Sequence, residues 1–114
     1  MDIQALKKCI THFSEQIHLS GVHKDEVKVG GRITDVFHPQ EFIPGGASLV
    51  IIDDFVGTLR VSVPEEVTQA HLNDLVVGNY VSFEGFVNTV SRSSGIEVSV
   101  VAYAANNLLE ECTK

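Results

Sequence analysis

Tryptophan is absent and basic residues are scarce: 8 Lys and Arg stand against 15 Asp and Glu, for a formal net charge of −7. That deficit excludes a broad polybasic surface, so any hold on nucleic acid has to come from a local cluster of charge. No apolar run approaches the roughly 20 residues that a membrane-spanning helix needs. The opening MDIQALKKC lacks the basic start and unbroken apolar stretch of a signal peptide. A soluble, cytoplasmic protein with no membrane partner is the expectation. Cysteines are few as well. Cys9 and Cys112 sit near opposite ends without metal-ligand spacing, and free thiols in a reducing compartment are expected.

Signatures of chemistry are missing too. His12, His18, His23, His38 and His71 show no metal-ligand spacing. Ser91, Ser93 and Ser94 flank Arg92 without a nucleophile elbow, and neither a P-loop nor a dinucleotide fingerprint occurs. The sequence therefore predicts no catalytic residue, no metal and no cofactor. It does offer a core: 44% of the 114 residues are hydrophobic and 20% charged, the balance of one folded domain.

Periodicity divides the chain. Residues 1–26 read as an N-terminal helix and linker. Asp2 is its N-cap, and Ile3, Leu6, Ile10, Phe13 and Ile17 form an apolar stripe over 2–17. From Val27 the period becomes two. VKVGGRITDVF (27–37), SLVIIDD (48–54), TLRVSV (58–63), NYVSFEGFV (79–87) and IEVSVVAYA (96–104) read as strands. The glycine pair in the first marks a bend, and HPQEFIPGGA and NTVSRSSG read as loops. Pro64 with Glu65 and Glu66 opens a short helix that Gly78 ends. A barrel domain over 27–105 and a tail or short helix over 106–114 complete the division.

Three strands, a helix and two strands are the order of a five-stranded Greek-key barrel. The stretches "VKVGGRI", "LVIIDDFVGTLRVSV" and "LVVGNYVSFEGFV" resemble the nucleic-acid-binding OB-fold superfamily, especially its tRNA-anticodon and replication-protein branch. The resemblance covers residues 27–104. It implies a mostly β fold and a ligand that crosses strands two and three, clasped by the one-two and four-five loops. Within "IIDDFVG", Asp54 is expected to accept hydrogen bonds from turn N–H groups and Gly57 to supply a positive φ, a structural role for both.

Strand parity assigns faces. Val29, Gly31, Ile33, Val50, Ile52, Leu59, Val61, Val63, Val81, Phe83, Gly85, Ile96, Val98 and Val100 point inward. Lys28, Arg32, Leu49, Ile51, Arg60, Glu84, Phe86, Glu97 and Tyr103 point outward. The basic residues of the barrel, Lys28, Arg32, Arg60 and Arg92, are expected to border one groove, with Glu84 and Glu97 on its far side. Phe42 and Phe55 are the candidate stacking aromatics. Phe37 and Phe42 either stack a base or close the barrel's ends. The reading is a non-enzymatic module that binds single-stranded DNA or RNA. The rival is a protein-interaction module, or self-association, through the N-terminal helix or the outward Leu49 and Ile51; the net charge and the lack of Trp favour it.

Overall fold

The alternation in VKVGGRITDVF makes one long strand that serves two neighbours in turn. In the computed structural model, which describes residues 1–20, 22–38 and 46–112, this strand is β1 (Glu26–Phe37). Its first half pairs antiparallel with β4 (Tyr80–Arg92) and its second half with β2 (Ser48–Asp53). Arg32 has a partner on each side, Tyr80 and Asp53, so the strand changes neighbour there. A Cβ on Gly31 would collide with the carbonyl of Asp53, which is why the bend needs glycine.

β3 (Thr58–Val63) pairs back on β2, and β5 (Gly95–Asn107) joins β4 to β3. The order β1-β2-β3-β5-β4 closes a barrel. With short helices at the N-terminus and between β3 and β4, this is the OB-fold architecture expected from the sequence. Val29, Ile33, Val50, Ile52, Val61, Val63, Phe83 and Val100 are fully buried and form its core.

Helices close the barrel at both ends of the β2–β3 hairpin. At the Asp53/Thr58 end, α2 (Ser14–Ser20) inserts Ile17 into the core. At the Ser48/Val63 end, α3 (Glu65–Ala70) donates a hydrogen bond from the buried Thr68 hydroxyl to Ser48 Oγ at 3.1 Å. Val67 and Leu75 pack on the core from the same connection.

The N-terminal segment differs from the single helix expected over 2–17. α1 spans Ile3–Cys9, capped by Asp2, whose Oδ1 accepts from Ala5 N–H at 2.8 Å. The chain is then extended at Ile10, before α2 begins. Thr11 explains the break. Its N–H donates to the Lys28 carbonyl at 2.9 Å, and its hydroxyl accepts from Lys28 N–H at 2.8 Å. Pairing with β1 outcompetes the helix at two β-branched residues. Of the stripe, Leu6 and Ile17 are buried within the chain, Ile10 and Phe13 are half-buried, and Ile3 is exposed.

The free-thiol expectation is overturned. Cys9 and Cys112 are joined in a disulfide, with Cα atoms 6.1 Å apart. It fastens α1 to α4 (Leu108–Cys112) beside the buried Leu6 and Leu108. Among the described residues no helix is long and apolar enough to cross a membrane.

Candidate nucleic-acid interface

The outer face of β1, β2 and β3 is read off their register. Arg32, Asp53 and Thr58 form one row, Asp35, Ile51 and Arg60 the next, and Phe37, Leu49 and Ser62 a third. Two guanidinium groups, two carboxylates and an apolar strip of Phe37, Leu49 and Ile51 thus share one surface. Phe37 owes its place to a bulge. The register between β1 and β2 shifts between Ile33 and Asp35, which reverses the parity of every later side chain. Val36 therefore packs on the core, while Phe37 is 55% exposed. Sequence parity alone misses this. On the same face Leu49 is 36% exposed.

One edge of this face opens into a cleft. β3 and β5 are joined in parallel at Val61↔Val100 and Ser62↔Val101. Toward Thr58 the two strands part around a cavity of about 380 Å³, with His18, Ile51, Thr58 and Arg60 on one bank and Ile96, Glu97 and Val98 on the other. His18 is placed by α2 and its Nε2 lies 3.0 Å from the Thr58 carbonyl.

The far bank is an arm. β4 and β5 run as a hairpin from Val87↔Val100 out to Arg92↔Gly95. The Ser-rich stretch expected as a loop is therefore mostly strand, and Arg92 lies at the end of β4. Ile96 has inward parity, yet the arm overhangs the barrel rim and leaves it 71% exposed. Glu97 is not on the far side of the groove. It lines the cleft and pairs with both Arg60, at 3.7 Å, and Arg92, at 2.5 Å.

Other expected residues fall elsewhere. Lys28 is on the β1–β4 side of the barrel, two strands round from Arg60, where its Nζ pairs with Glu111 at 2.8 Å. Arg32 is on the outer face, one row from Arg60. Phe55 is exposed in the β2–β3 turn, at φ 77, and its N–H donates to Asp53 Oδ1 at 2.9 Å. Phe42 lies outside the described residues. The turn itself departs from expectation in one respect: the left-handed residue is Phe55, whereas Gly57 is not left-handed. Among the described residues no cluster of His, Cys, Asp and Glu is arranged to hold a metal ion.

The fold and this face define the chain as a small OB-fold barrel. No protein-family model matches it, and no curated protein matches it. It is similar in structure to asparaginyl-tRNA synthetase from Pyrococcus horikoshii, at TM-score 0.58 and 19% identity over 74% of this chain and 20% of that one. The same enzyme complexed with asparaginyl-adenylate gives TM-score 0.58 and 19% identity over 75% and 19%. The chain thus spans about a fifth of the synthetase chains. An OBody, AM1L10, bound to hen egg-white lysozyme matches with TM-score 0.62 and 19% identity over 87% of this chain and 91% of that one. At these identities the likeness establishes the fold alone.

Proposed function

We propose that the protein is a non-enzymatic module that binds single-stranded nucleic acid across the outer face of β1–β3, under the β4–β5 arm. The observation that carries this reading is Arg60 in the cleft with Arg92 beside it through Glu97, and Arg32 farther along the same outer face as the apolar strip of Phe37, Leu49 and Ile51. Guanidinium groups suit phosphate, and Phe37 and Phe55 are free to stack on bases. Lys28, tied to Glu111, contributes little; Phe42 stays a candidate from its sequence position. The synthetase that carries a similar barrel is named for an RNA substrate.

Two or three cations neutralise about two or three phosphates, so log K against log salt has a slope of about −1.5 to −2. Binding is weak, on the order of micromolar, and favours single strands over duplex. Titration of a labelled oligothymidylate at two salt concentrations tests this. Replacing Arg60 and Arg92 by Gln should weaken binding and flatten the slope. Phe37→Ala should cost about 1–3 kcal/mol without changing the slope.

A protein partner is the second reading, favoured by the strip of Phe37, Leu49 and Ile51 together with the exposed Ile96. The OBody, which matches over nearly its whole length, is itself in complex with a protein. If no oligonucleotide binds at low salt, this reading replaces the first.

A further inference from the structure

Both arginines that the cleft offers to phosphate are already held by one carboxylate. Arg60 comes from β3, Arg92 from the tip of β4, and Glu97 from β5 just past the hairpin turn. Glu97 divides its oxygens between them: Oε1 faces Arg60 Nη1 at 3.7 Å, and Oε2 accepts from Arg92 Nε at 2.5 Å. The Arg92 contact stays within the arm. The Arg60 contact crosses the mouth of the cleft, where β3 and β5 have parted, and ties the arm to the barrel.

All three side chains are about half exposed, at 59%, 46% and 58% for Arg60, Glu97 and Arg92. Ion pairs this open to water hold weakly, so they yield to a better anion. Resting on the nucleic-acid reading, we propose that Glu97 is a displaceable internal stand-in for phosphate. In the empty protein it occupies the arginines and holds the arm against β3. A phosphodiester strand presents a phosphate to each guanidinium and turns Glu97 out to solvent. Glu97 then lowers affinity for every anion and confines binding to ligands with enough phosphates to displace it.

Glu97→Gln keeps the shape of the side chain and removes its charge. A labelled oligothymidylate is titrated at low and high salt into the parent, E97Q, R60Q/R92Q and the triple variant. E97Q should bind about 3- to 10-fold tighter at low salt, and the gain should shrink at high salt, where the removed charge is screened in any case. The gain should vanish in the R60Q/R92Q background. If E97Q and the parent bind alike, Glu97 is a bystander while the nucleic-acid reading stands. If neither binds, both the reading and the stand-in role fall together. E97Q should melt at the parent's temperature, which keeps folding out of the comparison.

Discussion

The backbone N–H of Ser14 donates to Asp54 Oδ2 at 2.5 Å, and the Ser14 hydroxyl donates to Oδ1 at 2.9 Å. The same carboxylate accepts from Val56 and Gly57 N–H at 3.3 and 3.2 Å. One buried side chain therefore organises the β2–β3 turn and the start of α2 together. Asp54 and Ser14 are each 1% exposed.

That arrangement makes Asp54 structural. Asp54→Asn puts an amide donor where a donor already points, and on the order of 2–4 kcal/mol of stability should be lost. Urea unfolding measures it. Oligonucleotide binding extrapolated to fully folded protein should be unchanged, and a loss of binding without a loss of stability would instead place Asp54 in the interface.

Gly57 is required by contact rather than by conformation. A Cβ there would lie 2.9 Å from Ser14 Oγ, and the next neighbour, Ser14 Cβ, is at an ordinary 3.9 Å. Gly57→Ala should therefore destabilise the parent but cost about 1 kcal/mol less when Ser14 is already Ala. A double-mutant cycle reads the difference; strict additivity would show that the hydroxyl is not the obstacle.

Why some of this was legible in the sequence and some was not comes down to register. β2 and β3 pair without a shift from Ser48↔Val63 to Asp53↔Thr58. Alternation therefore placed Val50, Ile52, Leu59, Val61 and Val63 in the core as expected. Phe37 was obscured because one bulged residue inverts parity beyond it. Ile96 and Glu97 were misplaced for another reason: parity says which side of a strand a residue faces, and not whether the barrel still lies beneath it. The helix break at Ile10–Thr11 comes from a bond to Lys28, 17 residues away, and local periodicity carries no trace of it. The cysteine pair is a matter of long-range approach, across a separation of 103 residues.

The disulfide clasps the two ends of the fold, and closing so long a loop restricts the unfolded chain. Replacing Cys9 and Cys112 by Ser should cost about 2–4 kcal/mol. Added reductant should produce a similar loss in the parent and none in the variant. Thiol counting on denatured, non-reduced protein should find neither thiol; finding both would remove the clasp.

Tyr103 makes stability depend on pH at the alkaline end. Its hydroxyl donates to Glu26 Oε1 at 2.6 Å, and this bond, then loss of hydration, then the negative charges of Glu26 and Glu84, push the phenol up to about 12. The folded protein thus holds the proton more tightly than the unfolded chain, where the phenol titrates near 10. The sign follows from linkage. Below pH 10 both states are protonated and the contribution is complete; between about 10 and 12 the unfolded chain ionises first and the contribution is lost. Phenolate absorbance followed against pH should show Tyr103 titrating late, and subtracting the curve of Tyr103→Phe isolates it. Glu26→Gln removes both the carboxylate acceptor and its charge, so the Tyr103 transition should move back toward 10. If the curves of the parent and E26Q superimpose, the carboxylate is not what holds the proton.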